Sequence, residues 1–302
     1  MKYLVTGGAG FIASNLVDEL ISRGHQVRII DNLSTGKKEN LNPQAEFIQV
    51  DIRKLDEIKP HFVGVDGVFH FAALPRVQLS IDDPITSNDI NINGTLNVLI
   101  AARDAKSGKV VYSASSSAYG DNDKMPLTED MLPNPISPYG LQKYVGEHYA
   151  RNFFVLYGLP TVSLRYFNVY GPRMAMSGGY LTVISVFLQQ KRDGKKLTAT
   201  GDGTQTRDFT YVGDAVRANI MAMASDKVGK GEVINIGGGH NYSVNEIAAK
   251  IGGELEYIAP RIEPHDTLAD TSKAKELIGW QPEVNINEGI ARTKEWFASQ
   301  NT

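Results

Sequence analysis

The sequence predicts an α/β fold, a doubly wound parallel sheet, on three observations. An apolar run over residues 2–6 ends in Gly7, Gly8, Ala9 and Gly10. It hands over to Phe11, Ile12, Leu16, Val17, Leu20 and Ile21 at helical spacing, which reads as strand, glycine turn, helix. Short apolar runs follow over 26–30, 46–50, 67–71, 109–113 and 161–165. Helical patterns separate them, that of residues 84–105 above all, and such alternation gives parallel strands with ligands at their carboxyl ends.

Taken in order, the glycines of the first turn let the backbone pass close to a pyrophosphate, whose charge meets the free N–H groups and positive dipole end of the helix behind them. Gly7, Gly10 and Ala13 lie three apart, not in the commoner GxGxxG spacing. The second strand ends in Asp31, about 20 residues past the turn, where a carboxylate accepts both ribose hydroxyls of NAD and repels the extra phosphate of NADP. NAD is therefore the expected cofactor. Residues 35–40, two lysines beside a glutamate, read as a solvated loop. Asp51 and Ile52 follow the third strand, where adenine is expected, and the fourth closes on Ala72 and Ala73, small enough to let the backbone approach a cofactor. Ile85, Ile92, Leu96, Leu99 and Ile100 suit a helix packed on the sheet.

After the fifth strand Ser113, Ser115, Ser116 and Ser117 crowd the sheet edge, a pattern common in turns. Here it leads through a proline-rich loop into SPYGLQKYVGE, residues 137–147, so one serine hydroxyl can share a substrate hydroxyl with Tyr139. Ser137 reads as an N-cap and Pro138 as the first helical residue, which puts Tyr139 and Lys143 on one face. Bringing a tyrosine from ~10 to half-ionised at neutral pH needs ~4 kcal/mol. An ammonium roughly 5 Å away supplies about 3 kcal/mol at an effective dielectric of ~20. Beyond the sixth strand the elements shorten: a helix over 180–192, a GDGTQTRDF segment around Arg207, a loop at 237–240, and a capping box of Ser243 with Glu246.

Composition narrows the function classes. At 302 residues and 42% hydrophobic, without repeats or low-complexity tracts, the chain can bury one large core or two smaller ones. With 31 Lys and Arg against 34 Asp and Glu, the net charge of −3 provides no field for gripping nucleic acid or an anionic membrane. The absence of cysteine excludes disulfides, thiolate catalysis and cysteine metal sites. The six histidines form no HxxxH or HxH pair, so no metal is expected. No basic leader precedes the first strand and no apolar run approaches 18 residues, which reads as a soluble cytoplasmic protein.

Nine segments in order resemble one family: TGGAGFIA, DNLSTG, HFAAL, NINGT, SSSAYG, SPYGLQK, RYFNVYGP, GDGTQTRDFTYV and ADTSKAKELIGW. Over nearly its whole length the chain resembles the extended short-chain dehydrogenase/reductases, and within them the NAD-dependent UDP-sugar 4-epimerases. The resemblance implies a Rossmann domain over 1–170 and a smaller, interleaved nucleotide-sugar domain over 171–302, with the chain crossing back around 209–236. It implies Gly7, Gly10, Phe11 and Ile12 at the NAD pyrophosphate, Asp31 and Asn32 at the adenosine ribose, and Asp51 and Ile52 at the adenine. Ser115 matches the catalytic serine or threonine, Tyr139 the base and Lys143 its ribose-binding partner. Asn168, Arg207 and Arg261 fall where the family anchors the substrate's diphosphate and nucleoside. Thr267, three residues before Asp270, matches a pocket-wall position facing carbon 2 of the hexose, where a small residue leaves room for an N-acetyl group. The helices over 84–105 and 137–157 resemble a pair that forms a four-helix dimer interface.

Departures and rivals accompany the resemblance. Ala13 stands where many relatives have a third glycine. Pro75 and Arg76 follow HFAAL where relatives vary, which leaves the sugar contacts of that loop open. The rival readings are another nucleotide-sugar enzyme (dehydratase, decarboxylase or UDP-glucuronate epimerase) and a noncatalytic NAD-binding regulator. Dehydratase relatives carry Asp and Glu directly after the catalytic threonine, where this chain has Ser116 and Ser117; regulators tend to lose the tyrosine or lysine, and this chain keeps both.

Overall fold

Seven parallel strands form the central sheet of the computed structural model, which describes residues 1–75, 77–176, 181–260 and 264–300. They are β1 (Lys2–Thr6), β2 (Gln26–Asp31), β3 (Glu46–Gln49), β4 (Gly67–His70), β5 (Lys109–Ser115), β6 (Thr161–Tyr166) and a seventh, Lys230–Ile236. Their spatial order is β3, β2, β1, β4, β5, β6 and then the seventh. The winding reverses between β1 and β4, and such a reversal opens a crevice at the carboxyl ends of the strands.

Strand alternation decides which core each residue joins. In β1, Tyr3 and Val5 pack with Leu16 and Leu20 of the Phe11–Ser22 helix, while Leu4 packs on the opposite face with Val98, Leu99 and Ala102 of the Gly94–Asp104 helix. Both faces are covered, which is why the strands read as nearly unbroken apolar runs. The Pro138–Tyr157 helix lies against β5 so closely that a Cβ on Gly146 would collide with the Tyr112 hydroxyl. A separate apolar cluster gathers Ile184, Phe187, Ile247, Ile251 and Phe297 from the helices Val183–Arg192, Val244–Ile251 and Ile286–Ser299.

Three elements differ from the sequence expectation. The helix expected over 84–105 is split into Pro84–Asn88, a wide π turn Asp89–Asn93, and Gly94–Asp104. A wide turn shifts the helical phase, and the buried Asn91 at its centre uses that shift to accept from the Leu74 N–H (2.7 Å) and donate to the Leu74 carbonyl (3.2 Å). β5 continues through the expected serine turn to Ser115, because Ser113, Ala114 and Ser115 still pair with Leu164, Arg165 and Tyr166 of β6. The helix expected over 180–192 starts at Val183 behind the cap residue Thr182, and Tyr180 lies outside the described residues. The capping box of Ser243 and Glu246 is formed. Among the described residues no helix is long and apolar enough to cross a membrane, and no His/Asp/Glu group could hold a metal ion.

Candidate active site

A cleft of about 330 Å³ lies at the carboxyl edge of the sheet, and strand ends supply its walls. β1 delivers Gly7, whose φ of 72° suits glycine; a Cβ there would sit 2.7 Å from the Ala72 backbone nitrogen. The turn therefore lies flush against the end of β4. Gly10 caps the Phe11–Ser22 helix without a side chain, so the first N–H groups of that helix face the cleft with no competing cap.

β2 ends in Asp31, whose Oδ2 accepts from the Ala9 N–H (3.0 Å) and Oδ1 from the Leu33 N–H (2.8 Å). Burial pushes this carboxyl up from the usual aspartate range and those two bonds oppose the shift. Each oxygen keeps acceptor capacity toward the cleft, since a carboxylate offers about four lone-pair sites. Asn32 donates to Asp51 Oδ2 at 2.8 Å, and the Arg53 guanidinium, also 2.8 Å from that carboxylate, holds Asp51 down at about 2.

The other half of the cleft is built by β5, β6 and the Pro138–Tyr157 helix. Ser137 accepts from the Gly140 N–H at 3.1 Å and Pro138 opens the helix, as expected. Tyr139, Lys143 and Ser115 all line the cleft. Ser115 Oγ accepts from the Ser117 N–H at 3.1 Å as the chain leaves β5. Lys143 is 3% exposed; its Nζ donates to the Ser113 carbonyl at 2.7 Å and lies 5.1 Å from the Tyr112 ring centre. Burial pulls Lys143 down to about 7, and Glu147, one turn further on, opposes that fall. The burial that strengthens an ammonium's pull on a neighbouring phenol also loosens its hold on its own proton, a coupling that spacing alone does not reveal. Beside it His70 is sandwiched between Thr6 Oγ1 (2.7 Å) and Thr95 Oγ1 (3.0 Å), and burial with the Lys143 charge lowers it to about 3, so its ring is neutral.

One cleft thus gathers Gly7, Gly10, Phe11, Ile12, Asp31, Asn32, Asp51, Ile52, Ala72, Ser115, Tyr139, Lys143 and Asn168. Arg207 and Thr267 are not among the residues lining it. Arg207, on the short strand Thr206–Asp208, donates from Nη1 to the carbonyls of Thr206 and His265, both at 2.9 Å. Thr267 Oγ1 accepts from the Asp208 N–H at 3.3 Å, and the Asp208 carbonyl in turn accepts from the Asn168 side chain at 2.9 Å. Asp208 therefore links the cleft to the Thr267 segment. A second hollow, lined by Thr200, Gln205, Pro260 and His265 among others, lies on the His265 side of Arg207. Arg76 and Arg261 lie outside the described residues.

Sequence reasoning missed Phe71, Leu74, Tyr166 and Thr182 in the cleft wall, and Asn91 and Gln142 behind it; Pro75, on the loop whose sugar contacts the sequence left open, lines the cleft. Asn91 sits in the π turn, and the buried face of the Gln142 helix also carries Lys143 and Glu147, so no apolar pattern set either amide apart.

Residues 3–237 match the family model described as NAD dependent epimerase/dehydratase family. The chain is 44% identical over 307 residues to a putative UDP-glucose 4-epimerase of Methanocaldococcus jannaschii, covering 99% of each. It superposes on the UDP-glucose 4-epimerase of Thermotoga maritima solved with UDP-glucose at a TM-score of 0.95, with 39% identity and 100% of both chains covered. A UDP-N-acetylglucosamine 4-epimerase of Methanobrevibacter ruminantium, solved with UDP-N-acetylmuramic acid, gives 0.94 at 37% identity, with 99% of this chain and 98% of that one covered.

Proposed function

The chain belongs to the NAD-dependent epimerase/dehydratase family, and from that premise we propose that it interconverts UDP-hexose 4-epimers by transient oxidation at carbon 4. The observation that carries this reading is the meeting of Ser115, Tyr139 and Lys143 in the same cleft as the Gly7 turn and Asp31. The residues present fit NAD. The Gly7 contact with Ala72 leaves no room for a side chain where a pyrophosphate needs bare backbone, and the acceptor-only Asp31 suits a diol.

When bound, NAD supplies a reversible hydride acceptor at carbon 4. Tyr139 removes the proton of the 4-hydroxyl and returns it to the carbon-4 oxygen once the hexose has turned its other face to the cofactor side of the cleft. Ser115 holds that hydroxyl in line. Lys143 binds the nicotinamide ribose and offers positive charge to the tyrosine oxygen. Asn168 and Arg207 anchor the diphosphate while the hexose turns over. The sugar leaves with no net change of oxidation state.

The decisive experiment incubates the purified protein with a panel of UDP-hexoses without added NAD and resolves the products. Epimer formation supports the proposal; a dehydrated or decarboxylated product, or no conversion, would overturn it. Asp31→Ala is expected to weaken NAD binding by roughly 1.5–3 kcal/mol, the scale of hydrogen bonds to a charged group, and NADP binding by less. Titration of both cofactors checks this, and equal affinity of the unmodified protein for the two would contradict the role of Asp31.

The substrate range extends to the N-acetylated pair on this reading. Thr267 is small, it is bonded to Asp208 beside the cleft-lining Asn168, and a UDP-N-acetylglucosamine 4-epimerase stands among the relatives. Thr267→Tyr is expected to suppress UDP-N-acetylglucosamine conversion ten-fold or more, about 1.4 kcal/mol, while sparing UDP-galactose. No measurable conversion of the acetylated sugar by an unmodified enzyme that handles UDP-galactose would sink the idea. A homodimer belongs to the same reading, supported by large apolar side chains left exposed on the helical segments 77–88 and 138–157: Ile81, Ile85 at 83%, Leu141, Val155 and Leu156.

A further inference from the structure

The helix that carries Tyr139 begins with a proline, so its first backbone donor is the N–H of Tyr139 itself. That donor does not go to the N-cap residue Ser137, which takes the Gly140 N–H instead. It goes to Ser80 Oγ at 3.0 Å, across a sequence separation of 59 residues. Ser80 is 0% exposed, and the same hydroxyl donates to the Val77 carbonyl at 2.6 Å, so its donor and one acceptor site are both in use. The Val77–Asp82 helix on which it sits follows Leu74 and Pro75, and Leu74, Pro75 and Val77 line the cleft. A second tie holds this wall one turn further along: Gln142 Oε1 accepts from Ser87 Oγ (2.7 Å) and from Asn91 Nδ2 (2.8 Å), the amide that also grips Leu74.

We propose that Ser80 is a positioning residue for Tyr139, fixing the backbone that carries the phenol to the wall of the cleft against which the sugar lies. The proposal rests on Tyr139 being the base. Its physical content is leverage. The hydrogen bond acts on the atom next to the Tyr139 Cα, so the first turn of the helix cannot rotate without carrying the wall of Leu74, Pro75 and Val77 with it. Distance between the tyrosine oxygen and the 4-hydroxyl is where catalysis is most sensitive, since a displacement of an ångström costs up to about 10²-fold. A hydroxyl that sets that distance acts on kcat; one that only fastens a loop acts on stability and on substrate affinity.

The test compares Ser80→Ala with the equal-sized pair Ser80→Thr and Ser80→Val, which differ only in the hydroxyl. Ser80→Ala and Ser80→Val are expected to lower kcat for UDP-galactose about ten-fold or more, with KM within about two-fold and the NAD content of the purified protein unchanged, while Ser80→Thr stays within about three-fold of the unmodified enzyme. Asp83→Ala serves as the control, because Asp83 caps the next helix through the Thr86 N–H at 3.0 Å and touches neither Tyr139 nor the cleft. It should lower Tm and leave kcat as it was. An unchanged kcat in Ser80→Ala, or equal losses in the Thr and Val variants, would overturn the proposal. So would variants that lose NAD and their melting transition together, since the hydroxyl would then serve the fold. If Tyr139→Phe itself remained active, the reading of Tyr139 would fail; an unchanged kcat in Ser80→Ala alongside a silent Tyr139→Phe would remove only the positioning role.

Discussion

Tyr139→Phe is expected to lower kcat by roughly 10³-fold, the range of a positioned acid or base, and to leave NAD in the cleft. The ring keeps its place because its backbone is held by Ser80 and its helix by Ser137, neither of which touches the phenol oxygen. Lys143 and Ser115 keep their own partners, the Ser113 carbonyl and the Ser117 N–H. Apart from Lys143, whose amine already donates to the Ser113 carbonyl, no described group lining this half of the cleft is suited to act as base at neutral pH. His70 is walled in by two threonine hydroxyls and does not line the cleft, and Ser115, Ser116 and Ser117 are alcohols with no histidine among the residues lining the cleft. The measurement is the rate of UDP-galactose conversion alongside the NAD released on denaturing the purified variant. Activity above a few per cent of the unmodified rate would place the base elsewhere.

What could be read from the sequence was what one strand, turn and helix encode locally. Gly7, Asp31 and the Tyr139–Lys143 pair each announce themselves within a single unit, because a positive φ, a strand-end acid and a one-turn spacing are short-range requirements. The sheet followed from the same units, since parallel crossovers of this length admit few arrangements. The ties that hold these units together left no local pattern. Ser80 meets Tyr139 and Asn91 meets Leu74 only after folding, and the π turn that aims Asn91 replaces what periodicity reads as one straight helix. The electrostatic state of Lys143 was hidden for the same reason. Spacing brings it near Tyr139, while its desolvation depends on Tyr112, Ser113 and Glu147 closing around it.

That desolvation makes Lys143→Met the second large effect, with opposite signs for function and stability. Function should be lost: with the ammonium gone, the ribose loses its donor and the tyrosine its neighbouring charge, so the variant is expected to retain little NAD and to turn over at least about 10²-fold more slowly. Stability of the NAD-free chain should rise. Lys143 titrates at about 7 in the folded protein, below the ~10.4 of an unfolded lysine. Below pH 7 both states carry the proton and the folded state bears the full cost of a buried ammonium. Between pH 7 and about 10 the folded chain sheds the proton first and the cost is progressively relieved. Methionine fills similar space without charge, and it strands no partner ion, because Glu147 remains held by Arg165 through two bonds of 2.8 and 2.7 Å. The Ser113 carbonyl loses one donor, an offset of about 1–3 kcal/mol. Lys143→Met should therefore raise Tm by at least about 3 °C at pH 6, with the gain shrinking steadily from pH 7 toward pH 10. Thermal melts of NAD-free protein across that range check it. A Met variant less stable at pH 6, or a gain that does not change with pH, would show that the buried ammonium carries no such cost. The charge that Tyr139 relies on would then be held by Glu147 at no expense to the fold.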